Sequence, residues 1–203
     1  MNKFQSLPFL LMTHAEASKS IFTRSDLSHL FGTSQPATIA KRIETLINNG
    51  FLYRALNGYF YIKGARIEDL AQRIFSDGYL SLQGILSHHA MCGSRIMNHV
   101  DIITTRSRPK TIKTSIGVIH MHVQKKSHHF GYEFNNGLNI ANPEKCFVDT
   151  CYFHQKKRTL HLNLYSDLII SHLNISKIKE YLNHYKNEKF ILFVLSLAES
   201  YGH

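Results

Sequence analysis

The sequence predicts an α+β protein in two units, a small N-terminal unit over residues 1–65 and a larger mixed α/β unit over residues 66–203. Three observations predict it. Between Thr23 and Ile62 a capped helix, a Gly32-Thr33-Ser34 turn, a longer helix opening at Pro36 and a hairpin tipped by Asn57-Gly58 follow one another. Beyond Asp77-Gly78 the pattern changes, with short runs of branched residues between Val100 and Gln124. Helical signals return at Asn142 and continue through the tail. The first succession is that of a winged helix-turn-helix, which lays one helix in the DNA major groove and a β-wing beside it.

Each element has its own local reason. An opening helix is expected over Leu7–Ser18. The next helix, Thr23–Phe31, begins with Thr23 and has Asp26 three residues on, close to a capping box. Leu27, Leu30 and Phe31 form its apolar face. Pro36 suits the first turn of the third helix, because its missing N–H has no partner there anyway. Ile39, Ile43, Leu46 and Ile47 then recur on one face, and Gly50 ends the helix. Asn57-Gly58 between Phe51–Arg54 and Tyr59–Ile62 is a strong hairpin signal, since both residues tolerate positive φ.

Lys63-Gly64-Ala65 reads as a hinge, followed by a bridging helix over Ile67–Phe75. Ser81 is expected to cap a short helix, Leu82–Met91. Strands are expected at Val100–Thr105, Ile112–Lys113 and Ile116–Gln124. The last of these puts Val118, His120, His122 and Gln124 on one side. Asn142 and Pro143 are an N-cap and first-turn pair for a helix to about Phe153. The tail from Leu164 reads as mostly helical.

The bulk composition narrows the partner more than the chemistry. The 203 residues are 43% hydrophobic, enough for a packed core. No apolar run reaches the length of a membrane span. The N-terminus reads as a mature start without a signal peptide, and a cytoplasmic location is expected. Cys92, Cys146 and Cys151 form no Cys-x-x-Cys and read as buried thiols of a reducing compartment. The formal charge of +10 favours a polyanionic partner. No acidic residue lies between Asp101 and Glu133, a stretch holding Arg106, Arg108, Lys110, Lys113, Lys125 and Lys126. These six are candidates for nucleic-acid contact, with a solvated face as the plain alternative.

On the third helix the polar side carries Gln35, Thr38, Lys41, Arg42 and Thr45, the expected DNA-facing set. Arg can read guanine and Gln adenine through paired hydrogen bonds in the major groove. Arg54 and Asn57 are expected on the wing. The histidines invite a metal question, but no Cys-x-x-Cys or His-Glu-x-x-His accompanies them, so no metal site is expected. Asp101, Glu133, Lys145 and Asp149 do not have the spacing of a metal-dependent nuclease. No P-loop, dinucleotide fingerprint or Gly-x-Ser-x-Gly is found, so neither a cofactor nor a catalytic residue is expected.

Four stretches resemble a known family. Tyr79-Leu80-Ser81-Leu82-Gln83-Gly84-Ile85-Leu86-Ser87-His88-His89 resembles the motif that opens the C-terminal domain of AbiEi-type antitoxins, from the type IV abortive-infection AbiE toxin–antitoxin systems. Ile140-Ala141-Asn142-Pro143-Glu144-Lys145-Cys146-Phe147-Val148-Asp149 is similar to that family's Ala-x-Pro-Glu-Lys/Arg…Asp signature. Val100–Arg106 sits where the family has a strand ending in Thr and Arg, and Asn57-Gly58-Tyr59 looks like its Gly-x-Tyr wing. Ala90 stands where the family pattern has a glycine after the histidine. The resemblance spans roughly residues 20–190. It implies repression of the system's own promoter through inverted-repeat operator DNA, with two copies on one operator. It also implies that a C-terminal antitoxin domain neutralises a nucleotidyltransferase toxin, without stable binding between the two. A stand-alone winged-helix regulator with no toxin, or a metal-dependent nuclease with a winged-helix targeting module, are the alternatives.

Overall fold

The computed structural model describes residues 7–15, 20–93, 97–106, 108–156 and 162–200. The fold is α+β, with helices around two sheets. Helix α1 (Leu7–Ala15) is followed by strand β1 (Ile21–Thr23), α2 (Arg24–Leu30), α3 (Pro36–Asn48), β2 (Tyr53–Leu56) and β3 (Tyr59–Tyr61). The last residues of the expected opening helix, to Ser18, and the N-terminal residues Met1–Phe4 lie outside the described residues.

The capping box at Thr23 is complete. The Asp26 N–H donates to Thr23 Oγ1 at 3.2 Å, and the Thr23 N–H donates to Asp26 Oδ2 at 2.7 Å. Thr23 also ends β1, which pairs antiparallel with β3 and completes a three-stranded sheet of order β1-β3-β2. Leu11, Phe22, Leu27, Ile39, Ile43, Leu46, Leu52 and Phe60 close one core beneath this sheet. At the hairpin tip Gly58 takes a positive φ of 82° and Asn57 does not, so the turn is not the doubly positive one expected from Asn-Gly.

The second unit continues with α4 (Ile67–Ile74), β4 (Tyr79–Leu80), α5 (Gln83–His88), β5 (His99–Thr104), β6 (Lys110–Thr114), β7 (Gly117–Val123), β8 (Tyr132–Asn135), β9 (Leu138–Ala141), α6 (Pro143–Gln155), α7 (Ile175–Leu182) and α8 (Glu188–Ser200). Its six strands have the order β6-β7-β5-β4-β9-β8; β5 runs parallel to β7 on one side and antiparallel to β4 on the other. Asn142 caps α6 as expected, its side chain accepting from the Lys145 N–H at 2.9 Å. Ser81 does not cap α5. The residue before the helix is Leu82, at a φ of 63°, and the Ser81 hydroxyl turns inward to Asp149.

The segment read as a hinge lies beside a packed junction. Ile21 and Ala55 belong to the core of the second unit, and Leu56, Tyr59 and Tyr61 pack against it. The Ser115 hydroxyl, in the turn between β6 and β7, donates to the Arg54 carbonyl at 2.9 Å, and its N–H donates to Ala55. Arg73 of α4 reaches Asp26 of α2 at 2.6 Å. Among the described residues no helix is long and apolar enough to cross a membrane.

Candidate nucleic-acid interface

Helix α3 buries Ile39, Ile43 and Leu46 and turns Gln35, Lys41 and Thr45 to solvent. Gln35 occupies the N-cap without a side-chain capping bond. The first-turn N–H groups of such an end favour an anion, through their unpaired donors and the helix dipole. Thr38 is half-buried and donates to Gln35 Oε1 at 3.1 Å, steadying that amide. The Thr45 hydroxyl is bonded back to the Lys41 carbonyl.

Two arginines have structural tasks that sequence reasoning did not assign. Arg42 donates from Nη1 to the Phe31 carbonyl at 2.6 Å and lies over the Phe31 ring. It fastens the end of α2 to α3 through this one donor. Arg54 pairs with Glu44 at 2.9 Å and lies over the Phe60 ring. That pair is well exposed at both ends, so it is worth at most about 1 kcal/mol and a phosphate can displace it. Asn57 is exposed at the hairpin tip.

The basic run from Arg106 to Lys126 does not form one patch. Strand β6 is antiparallel to β7, with Lys110 opposite Met121 and Lys113 opposite Val118. Arg106, Arg108, Lys110, Lys125 and Lys126 therefore gather at the C-terminal end of β7, while Lys113 lies toward the β6–β7 turn that touches the β2–β3 hairpin. The run is acid-free in sequence but not in space. Arg106 pairs with Asp77 at 3.0 Å and lies over the Phe75 ring, shared with Lys110.

Lys125 meets groups that no sequence spacing announces. With Lys156, Lys186, His128, His184, Tyr152 and Tyr185 it lines a cavity of about 610 Å³ with no carboxylate among the described residues of its wall. The His128 ring stacks on Tyr185 at 4.0 Å. Burial, followed by nearby Lys145 and Lys125, holds the His128 imidazole below its ordinary value.

Beneath this cavity lies a sealed polar network. Lys145 and Asp149 are fully buried, with Nζ 2.5 Å from Oδ1. Asp149 also accepts from Gln124 at 2.7 Å, Tyr79 at 2.8 Å and Ser81 at 3.0 Å. Burial pushes the Lys145 ammonium down, opposed by Asp149, and pushes the Tyr79 hydroxyl well up. Lys145 Nζ also stands over the Phe130 ring at 4.7 Å. Glu144 accepts from the Asn174 N–H and pairs with Lys177, so it ties α6 to the start of α7 as well as facing its own helix terminus. Neither Asp149 nor Lys145 is open to a substrate, and Glu133 is exposed on β8, so the three do not converge as a nuclease site.

A second buried carboxylate, Asp101 on β5, is held by histidines. His122 Nε2 lies 2.7 Å from Oδ1 and His99 Nε2 lies 3.3 Å from Oδ2. Burial alone would raise the Asp101 carboxyl, but the hydrogen bonds from His122 and His99 bring it down to about 2. The same hydrogen bond raises the His99 imidazole.

No family model matches the chain, and no curated protein matches it. Among solved structures it is similar to the crystal structure of the RV2827C protein from Mycobacterium tuberculosis. The TM-score is 0.66 at 11% sequence identity, over 100% of this chain and 80% of that one. At that identity the likeness concerns the fold alone.

Proposed function

We propose that this chain is a DNA-binding regulator whose first 65 residues act as a winged helix-turn-helix, and whose second unit is the antitoxin of a type IV toxin–antitoxin system. The observation that carries the proposal is the exposed face of α3, with Gln35, Lys41 and Thr45 beside a hairpin tipped by the exposed Asn57. A helix with an apolar face locked into a core and a polar face turned outward can enter a major groove without unfolding. The capping box at Thr23 and the Arg42–Phe31 bond fix the angle between α2 and α3 on which such docking depends.

The partner is double-stranded operator DNA carrying inverted repeats, with two copies of the chain on one operator. Lys113, beside the hairpin, extends that footprint, while Arg108, Lys110, Lys125 and Lys126 form a separate basic end of the second unit. The functional partner is a nucleotidyltransferase toxin that need not be bound stably. No catalytic residue and no cofactor are assigned, and the site of action is the cytoplasm.

The test is co-expression with the adjacent gene, scoring growth. Rescue by the full chain and binding of its own promoter in a gel shift are expected together. A chain that neither retards its promoter nor rescues growth contradicts the proposal. Promoter binding without rescue reduces it to a stand-alone regulator.

A further inference from the structure

Parallel pairing of β5 and β7 sets Asp101 opposite His120, and the period of two along each strand puts His99, Asp101, His120 and His122 on one face of the sheet. The side chains realise that convergence. One donor atom from each of His99, Asp101 and His120 lies within 4.8 Å of the other two. His99 and His120 meet edge to face, with ring centroids 4.4 Å apart.

The spacing suits a small cation. Two donors on one first-row ion at about 2.0–2.1 Å and tetrahedral angles are roughly 3.3–3.4 Å apart. The His99 Nε2 to Asp101 Oδ2 separation of 3.3 Å already has that length. The outer support is present as well. His122 Nε2, 2.7 Å from Asp101 Oδ1, anchors the far oxygen and leaves Oδ2 turned toward His99. An orienting contact of this kind is what ligating carboxylates have in metal centres. Asp101 is buried, while His99 and His120 are half-buried and His99 also lines a cavity of about 500 Å³.

We propose that His99, Asp101 and His120 bind one divalent first-row transition ion, zinc by preference, with His122 as the positioning residue for the carboxylate. Two imidazoles and one carboxylate are a borderline donor set, whereas magnesium and calcium favour oxygen alone. Three protein ligands leave a coordination position for water or an added group. The ion would join the neighbouring strands β5 and β7, so its binding contributes to the stability of the second unit.

Titration of the metal-free full chain with zinc chloride in a calorimeter tests this, with thermal melts in parallel. One ion per chain and a rise in melting temperature are expected. His99→Ala and His120→Ala should each abolish saturable binding, and His122→Ala should weaken it about 10- to 100-fold. His88→Ala, at an exposed histidine outside the cluster, should change nothing. Absence of saturable binding, or binding that His99→Ala and His120→Ala leave intact, overturns the proposal. If those variants fail to fold, the cobalt-substituted wild type decides. An intense four- or five-coordinate visible spectrum supports the site, and the weak spectrum of hydrated cobalt contradicts it.

Discussion

Asp149 and Glu44 each hold one cation, in opposite surroundings. Asp149 and Lys145 are sealed in the second unit, with both side chains fully buried. Glu44 and Arg54 lie on the surface of the first unit, with side chains 57% and 49% exposed. The sealed pair had to give up water on both sides, so its other oxygens and rings are filled by Gln124, Tyr79, Ser81 and Phe130. The exposed pair gave up little and can be exchanged for another partner. The second unit holds its pair in the interior, and the first holds Glu44 and Arg54 in contact with water.

The largest effect is expected from breaking the sealed pair. Asp149→Ala should cost about 3–5 kcal/mol in urea unfolding, since it strands a buried ammonium. The double variant Lys145→Met, Asp149→Leu should lose less than the single one. A single-variant cost below about 1 kcal/mol would make the two pairs alike and break the comparison. In the first unit, Thr23→Ala removes half of the capping box and should cost about 1 kcal/mol. Melting of the variant together with the wild type at an unchanged temperature would show that the box carries no load. In the second unit, Ala90 holds a φ of 55°, a conformation that a Cβ disfavours and glycine takes freely. Ala90→Gly should therefore stabilise by about 0.5–1 kcal/mol in the same assay, and a loss would mean that the backbone there is not left-handed. A double-mutant cycle on Arg54 and Glu44 should return less than about 1 kcal/mol.

The smallest effect is a pH dependence at the junction of the two units. Burial alone would raise the Asp26 carboxyl, but the Thr23 backbone N–H, Arg73 and the Thr23 hydroxyl together hold it below its ordinary value of 3.8. A depressed carboxylate contributes stability above that ordinary value, and the contribution fades as pH falls through the folded value. The melting-temperature gap between wild type and Asp26→Asn should stay constant from neutral pH down to about pH 5 and then close. A gap that widens on acidification reverses the sign and refutes the assignment.

What the sequence shows and what it hides follows from range. The Thr23 capping box, the stripe Ile39, Ile43 and Leu46, and the Asn142 cap are written within four to eight residues, and the structure has all of them. Strand β1 escaped because three residues carry no period and Thr23 already served as a cap. The β8–β9 hairpin is not among the expected elements although Asn136-Gly137 carries the Asn-Gly signal, and here both residues do take positive φ, 49° and 84°. Leu82 at positive φ has no sequence mark at all. The groups around Lys125 and the trio His99, Asp101 and His120 depend on strand order and on loops far apart in the chain. Alternation along β7 pointed to His120 and His122, but nothing local named His99 as their neighbour.

The claim that α3 presents its polar face to duplex DNA is tested most directly by fluorescence anisotropy on the chain's own promoter at physiological salt, for wild type, Lys41→Ala and Gln35→Ala. Both variants should fold as the wild type does, since both residues are exposed. Gln35→Ala should lose about 1–3 kcal/mol of affinity, the worth of one base contact. Lys41→Ala should weaken binding to all sequences and flatten the salt dependence by about one unit of slope. Wild-type affinity and salt slope in both variants would remove α3 from the interface and contradict the account.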